Sequence, residues 1–152
     1  MKIRLLTEAA YNRIITLKET MSKKDRGYGV IPIKIQNITF AIPFRSNMAH
    51  KHGFKTIFHN GVWNGVDYSK AIIITEDDLQ PKAFKLRSEA EYQKVKNNKD
   101  KIQRQFEKYV NDYVSQAKLG KLPNVQRFGY TTLVNYHDEL GVGERGADRR
   151  LL

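Results

Sequence analysis

The sequence of 152 residues contains no cysteine and only one tryptophan. The absence of cysteine excludes disulfide bonds and thiolate metal sites, and it is typical of proteins in a reducing compartment. No stretch approaches the roughly 18 to 20 apolar residues that span a bilayer. The first seven residues lack the apolar core and the cleavage site of a secretory signal. We therefore expect a cytoplasmic protein that does not bind membranes.

Acidic residues are scarce relative to basic ones. The chain has 16 Asp and Glu residues against 27 Lys and Arg residues, which gives a formal net charge of +11. A polyanion is the usual partner of so basic a domain, and nucleic acid is the commonest polyanion. An acidic protein, a membrane surface and plain solubility are the alternatives. Because 40% of the residues are hydrophobic, we expect a folded domain rather than a disordered chain.

The order of predicted elements indicates an α+β fold, with a small antiparallel β-barrel followed by helices. Two β-rich runs, residues 28–35 and 38–43, are joined by a tight turn, and Pro32 predicts an edge strand or a bulge. Residues 44–64 are predicted to form a long loop with a short strand near residues 55–59. A buried strand is expected at residues 71–75, followed by a loop at residues 79–85.

Helices are expected before and after this barrel. Thr7 is placed to cap a helix over residues 8–20, and Ser88 opens a helical segment with capping-box spacing. That segment has an Asn-Asn joint at residues 97–98, an apolar stripe from residue 102 onward, and a stop at Gly120. Tyr130 to Val134 is predicted as a last strand or an extended tail. We expect a single domain over residues 1–139 and a flexible tail over residues 140–152.

Reactive side chains follow the point where the second β-rich run ends, at Pro43. RNA cleavage by the adjacent 2′-OH needs a proton acceptor, a proton donor for the leaving oxygen, and cations or hydroxyls that stabilise the phosphorane. This chemistry needs neither a metal nor another cofactor. Residues of every required type make up the candidate catalytic set: Arg26, Tyr28, Arg45, Ser46, His50, Lys51 and His52. The alternatives are a polar strand end without catalytic duty and a metal-binding pair of imidazoles.

Further polar and cationic residues are expected to contact RNA phosphates. This predicted RNA-binding set consists of Lys23, Lys24, Lys34, Asn47, Lys55, Lys82, Lys85 and Arg87. Familiar nucleotide-binding, zinc-protease and serine-hydrolase motifs are absent from the sequence.

The segment Phe40-Ala-Ile-Pro-Phe-Arg-Ser46 resembles the ToxN/AbiQ family of type III toxin–antitoxin toxins, and most closely their CptN and TenpN branches. The N-terminal helix with its basic loop, the segment Gly65 to Ile74, and the Asn-rich joint before Lys99 are also similar to the family. The resemblance extends over roughly residues 1–122.

The resemblance implies a MazF-like barrel and a metal-independent endoribonuclease that produces a 2′,3′-cyclic phosphate and a 5′-OH. It implies mRNA as the substrate and a small, repeated, pseudoknot-like RNA antitoxin. The toxin would process this RNA and then bind it in a closed protein–RNA assembly. The implied role is phage defence by abortive infection, with no DNA partner. A non-catalytic nucleic-acid-binding module and a MazF-type toxin with a protein antitoxin are the rival hypotheses.

The resemblance also implies residue roles. The family's catalytic hydroxyl falls on Ser46, and the threonine before it is replaced by Arg45. The upstream lysine falls near Arg26, and the tyrosine close to Tyr28. The family's Thr-Ser-Pro-Lys motif is not kept, since the last two positions are Asn and Met here. His50, Lys51 and His52 are therefore the competing substitutes for its lysine.

Overall fold

The computed structural model describes residues 3–17, 29–120 and 125–142. Lys23, Lys24, Arg26 and Tyr28, together with residues 143–152 of the predicted tail, lie outside these ranges. The elements, in chain order, are β1 Arg4–Leu6, α1 Glu8–Ile14, β2 Gly29–Ile35, β3 Ile38–Arg45, β4 Gly53–His59, β5 Val62–Asp67, β6 Ile72–Ile74, β7 Leu79–Ala83, α2 Glu89–Asn97, α3 Lys99–Lys118 and α4 Val125–Phe128.

The seven strands form one antiparallel sheet. Its strand order is β4-β5-β3-β2-β1-β7, and β6 pairs with β3 beside this path. The predicted α+β class is therefore confirmed. Over the described ranges β4 and β7 do not pair with each other, so the sheet is not closed. No helix in those ranges has both the length and the apolar character needed to cross a membrane.

Pro32 lies in a strand with neighbours on both sides, so the predicted edge strand is wrong. Pro32 pairs with Ala41 of β3, whereas β1 pairs only with Gly29 and Val30. Because the β1 ladder ends before Pro32, the missing N–H removes no ladder hydrogen bond. The predicted turn after β2 is confirmed, and Gln36 has a φ of 55°.

The long loop predicted over residues 44–64 is wrong over most of that range, although the short strand expected near residues 55–59 is confirmed as part of β4. Strand β3 continues to Arg45, and β4 and β5 form a hairpin, which leaves a loop only over residues 46–52. Asn60 and Gly61 connect the two strands with φ values of 52° and 79°, as the right-handed twist of a two-residue hairpin turn requires. The abundant Asn and Gly residues of this segment belong to a turn and to close packing rather than to a loop.

Met48 anchors the 46–52 loop on the β4–β5 hairpin. Its side chain is buried, and its backbone N–H donates to the Trp63 carbonyl at 2.7 Å. A Cβ on Gly65 would lie 2.6 Å from Met48 Cε, and a Cβ on Gly53 would lie 2.8 Å from Met48 Sδ. The nearest atoms to these added carbons are backbone oxygens of the paired strand, Val66 O at 2.3 Å from the Cβ on Gly53 and Phe54 O at 2.5 Å from the Cβ on Gly65, so glycine at both positions allows this close packing of strands and loop.

Other predictions have mixed outcomes. The Thr7 and Ser88 caps, the joint between α2 and α3, and the stop at Gly120 (φ 70°) are confirmed. Helix α1 ends at Ile14, earlier than expected, and the predicted loop at residues 79–85 contains strand β7. Residues 132–135 form a 3₁₀ turn instead of a strand. Val142, in the predicted tail, is buried.

Helix α3 packs its apolar stripe against the sheet, as its spacing predicts. The buried residues of this face are Ile102, Phe106, Tyr109, Val110 and Tyr113. The ring of Phe106 meets Phe40 of β3 edge to face, at a centroid distance of 5.1 Å. Burial of these aromatic rings is a large favourable term, so the helix supports the strand that carries the candidate site.

Helix α2 is tied to β4 by a buried hydrogen bond. The Thr56 hydroxyl donates to the Glu91 carboxylate at 2.5 Å, and both residues are buried. Ser88 still caps the helix by accepting from the Glu91 N–H at 3.1 Å. The Glu91 side chain thus joins the helix to the sheet.

We predict that Thr56→Val lowers the free energy of unfolding by about 2 kcal/mol, because the buried Glu91 carboxylate loses its partner. Urea unfolding followed by circular dichroism measures this change. The matched control is Glu89→Gln, which alters an exposed carboxylate on the same helical turn. The double variant Thr56→Val/Glu91→Leu should recover most of the loss. Equal stability of Thr56→Val and the control would contradict the assignment.

Candidate functional site

The candidate site lies where β3 and β5 end side by side. Arg45 pairs with Gly65, and Asp67 pairs with Gly53 of β4. Directly opposed residues of an antiparallel pair share a face, as do alternate residues of a strand. The side chains of Arg45 and Asp67 therefore lie on the same face of the sheet. The neighbouring Phe44 and Val66 lie on the other face, which packs into the core.

Asp67 is the centre of this site. Its side chain is fully buried, and its Oδ2 accepts a hydrogen bond from Arg45 Nη1 at 2.7 Å. The same oxygen lies 3.1 Å from His50 Nε2. Its Oδ1 accepts from the backbone N–H of Ser69 at 3.0 Å and from the Ser69 hydroxyl at 2.6 Å. Four donors thus satisfy the carboxylate without water.

These donors keep Asp67 ionised. Burial alone raises the pKa of a carboxyl group, but the hydrogen bonds from His50, Ser69 and Arg45 outweigh it and hold the pKa of Asp67 below the ordinary value of 3.8. The carboxylate is therefore negatively charged at neutral pH. A buried charge needs a counter-ion, and Arg45 supplies it.

The hydrogen bonds of His50 define its tautomer. Its Nδ1 accepts from the backbone N–H of His52 at 2.9 Å, so this nitrogen carries no proton. The proton of the neutral ring therefore lies on Nε2, where it is donated to Asp67. Both ring nitrogens of His50 are engaged in this arrangement. His50 accordingly acts as a positioning residue, which fixes the 50–52 segment onto the buried carboxylate.

His52 lies beside His50. The two rings stack at a centroid distance of 5.2 Å and an interplanar angle of 23°. The His52 carbonyl accepts from the Tyr68 N–H at 3.0 Å, which holds the backbone against the end of β5. The His52 residue is partly exposed. An imidazole in this position is suited to exchange protons with a substrate.

Two tyrosines close to the site are unsuited to accept a proton. Burial raises the pKa of Tyr68 far above its ordinary value of 10.0. Burial, with a further contribution from the Asp67 charge, raises the pKa of Tyr109 to about 12. Both phenols are therefore protonated at neutral pH.

Arg45 remains partly in contact with solvent. A third of its side chain is exposed, although one nitrogen is bound to Asp67. A guanidinium carries five N–H donors in a planar fork that matches phosphate oxygens. The ion pair holds the fork in place and leaves donors for an anionic ligand.

The rest of the 46–52 loop surrounds this pair with polar groups. Ser46, Asn47 and Lys51 are exposed, and Asn47 adopts a left-handed backbone with φ of 58°. The structure therefore brings Arg45 and His50 together on Asp67, with His52 stacked alongside. Ser46 and Lys51 belong to the same short loop.

The described members of the predicted RNA-binding set are spread over the sheet. Lys55 lies on β4 and Lys82 on β7, at the two ends of the strand order. Lys85 and Arg87 lie in the connection from β7 to α2. Lys34 is an exposed residue of β2.

A cavity of about 370 Å³ lies between β2 and α3, away from Arg45, and includes Arg4 and Lys99 in its lining.

No cluster of three His, Asp or Glu side chains with metal-ligand geometry occurs within residues 3–17, 29–120 and 125–142. The two imidazoles considered as a metal-binding pair make other contacts: His50 binds Asp67, and His52 stacks on His50. Its nearest carboxylate, Asp67, is already occupied by four donors.

The sequence analysis missed Asp67, although a signal for it exists. Asp67 is the only carboxylate between Asp25 and Glu76, in a segment rich in lysine, arginine and histidine. A single acid in such a segment, directly before a buried apolar strand, is a natural counter-ion for one of the cations. Its partner could not be chosen from sequence, because pairing of β3 with β5 determines it.

Comparisons of the chain with protein-family models, with curated proteins and with solved structures found no match. The interpretation of the site therefore depends on its own geometry and chemistry.

We predict that Asp67→Asn lowers the free energy of unfolding by about 2 kcal/mol at pH 7, because Arg45 loses a buried counter-ion. The folded pKa of Asp67 is depressed, so its stabilisation is present above about pH 4 and is lost as the pH falls through the folded pKa. The difference between wild type and variant should therefore shrink in acid.

Thermal or urea unfolding between pH 2.5 and 7 measures this effect. The matched control is Asp138→Asn, which removes an exposed carboxylate. A wild-type-minus-variant difference that stays constant down to pH 2.5, or that is no larger than for the control, would contradict the role given to Asp67.

Proposed function

We propose that this chain is the toxin of a type III toxin–antitoxin system, a metal-independent endoribonuclease that acts on mRNA in the cytoplasm. The observation that carries the proposal is the ion pair of Arg45 with the buried Asp67, which fixes a partly exposed guanidinium beside two imidazoles. The net charge of +11 supports a polyanionic substrate.

In the proposed reaction, the 2′-OH of RNA attacks the adjacent phosphorus, and the bond from phosphorus to the 5′-oxygen breaks. The proton of the 2′-OH passes to a base, and the leaving oxygen receives a proton, which yields a 2′,3′-cyclic phosphate and a 5′-OH. Arg45 would stabilise the non-bridging oxygens as negative charge develops. Both nitrogens of His50 are engaged, and the partly exposed His52 stacked on it is assigned the proton transfer in this proposal.

The remaining loop residues are assigned supporting roles. Ser46 would donate its hydroxyl to the phosphate, and Lys51 would contribute positive charge. Arg26 and Tyr28, in the segment before β2, stay predictions from the resemblance to the ToxN/AbiQ family. Lys55 and the other members of the RNA-binding set would contact the RNA backbone.

For the fold, we propose that the antiparallel sheet belongs to a MazF-like barrel. The antiparallel sheet supports this proposal. Helix α2 supports it as well, because it follows β7 at one end of the strand order and is hydrogen-bonded to β4 at the other end, through Glu91 and Thr56. This connection brings the two ends of the strand order toward each other, as in a partly closed barrel.

A non-catalytic RNA-binding module is the second candidate function. The engagement of both His50 nitrogens favours it, because one of the two candidate imidazoles has no free site for a proton. In this alternative Arg45 and its neighbours would grip phosphates without cleaving the strand. A cleavage assay separates the two functions.

We predict that the purified protein cuts single-stranded RNA in the presence of EDTA and that Arg45→Ala slows the cut about a hundredfold or more. His52→Ala should slow it as well and change the pH profile of the rate. The matched controls are Arg104→Ala on α3 and His59→Ala, which alter exposed side chains of the same types. Binding of RNA without cleavage by the wild type would favour the second candidate.

We predict that the protein, expressed with its neighbouring DNA, purifies with a short RNA in a fixed molar ratio. Removal of this RNA in high salt should restore cleavage activity, because phosphate contacts weaken as salt rises. The DNA upstream should contain a tandem repeat that encodes the RNA. Purification with an acidic peptide instead would support a protein antitoxin and contradict the RNA antitoxin.

Expression of the wild-type protein without the repeat should stop cell growth, whereas expression of Arg45→Ala should not.

A further inference from the structure

Two aromatic side chains are exposed together at the end of the β4–β5 hairpin. Phe58 is 61% exposed and Trp63 is 39% exposed. The two residues are opposed across the strands, and their rings meet edge to face at a centroid distance of 5.6 Å. The ammonium group of Lys55 lies 6.0 Å from the centroid of the Trp63 ring.

This combination differs from an isolated exposed apolar residue, which is common on protein surfaces. Proteins that bind single-stranded nucleic acid combine aromatic rings, on which bases stack, with cations that follow the phosphates. The end of the hairpin presents aromatic rings and a cation side by side, because Phe58 is opposed to Trp63 and Lys55 lies near the Trp63 ring. The positive charge of the chain makes a polyanion the matching partner.

The hairpin end shares a face with the candidate catalytic site. Trp63, Gly65 and Asp67 alternate along β5, and Arg45 is opposed to Gly65. Trp63 and Asp67 are four positions apart along the strand, a distance of about 13 Å. Met48, between them, fastens the catalytic loop to the Trp63 carbonyl at 2.7 Å. A strand of RNA lying along this face would therefore meet both groups within a few nucleotides.

We propose that Phe58 and Trp63 form a base-stacking subsite for single-stranded RNA, with Lys55 contacting the adjoining phosphate. This inference rests on the proposed function and adds how the strand is bound, since only unpaired bases are available to stack on the hairpin. The subsite would position the strand so that a phosphate a few nucleotides away lies at Arg45.

The sole tryptophan of the chain makes the subsite directly observable. Trp63 fluorescence is followed while a single-stranded 2′-O-methyl oligonucleotide, which lacks the attacking hydroxyl, is added. A strand of the same length and charge with abasic sites is the matched ligand. We expect saturable quenching by the first strand and little by the second. Equal quenching by both strands would overturn the proposal, because charge alone would then account for it.

Variants test the same subsite by binding of a labelled strand. Trp63→Ala and Phe58→Ala should weaken binding of the base-containing strand roughly tenfold to a hundredfold and leave the abasic strand nearly unaffected. Tyr130→Ala, which removes another exposed aromatic ring, is the matched control. Trp63→Phe should retain most of the affinity. Wild-type affinity of Trp63→Ala would overturn the proposal.

The aromatic pair also stabilises the hairpin as a cross-strand contact. Thermal unfolding of each variant identifies such an effect. If Trp63→Phe and Trp63→Ala melt at similar temperatures but only the alanine variant loses affinity, stacking is supported. If affinity falls only in step with stability, or equally for base-containing and abasic strands, the pair is structural and the proposal fails.

The two proposals fail in different ways. If the wild type does not cut RNA but its Trp63 fluorescence is quenched by bases, the endoribonuclease is wrong and the subsite stands. If the wild type cuts RNA and Trp63→Ala cuts it with unchanged kcat/KM, the subsite is wrong and the endoribonuclease stands.

Discussion

The buried carboxylate of Asp67 is the constraint on which the candidate site depends. Removing a charge from water is costly unless donors replace the water, and here Arg45, His50 and Ser69 supply them. The same contacts fix the guanidinium at the end of β3 and the imidazole of His50 in the 46–52 loop. Stability and the proposed function are coupled at Arg45, because the guanidinium that satisfies the buried carboxylate is also the group proposed to bind the phosphate.

The surrounding fold positions Arg45 and Asp67 for this ion pair. Strand β5 lies between β3 and β4, so that Arg45 and Asp67 reach one face. Gly53 and Gly65 leave room for Met48, which fastens the loop that carries His50. Helix α3 covers the opposite face. The site is thus held by a rigid sheet, which is what preorganised electrostatic stabilisation of a transition state requires.

Local signals in the sequence predicted the caps, the helix joint, the first hairpin and the buried face of α3. They failed where tertiary contacts decide the structure. The segment around the Asn60-Gly61 turn was predicted as a loop from its polar and aromatic composition, although an Asn-Gly pair between β-rich runs is itself a hairpin signal. Arg45 and His50 could be singled out from residue type. Asp67 is a lone acid in a basic segment, but its partner could not be chosen from the sequence, because the partner is determined only when β3 pairs with β5.

The central proposal is that the groups gathered around Asp67 cut RNA through the 2′-OH of the RNA strand. The most direct measurement compares a strand of RNA with the same strand that carries a single 2′-deoxynucleotide at the cleaved position, in EDTA. The account predicts a 2′,3′-cyclic phosphate and a 5′-OH from the first strand and no cut at that position in the second. A cut in both strands, or in neither, would contradict it.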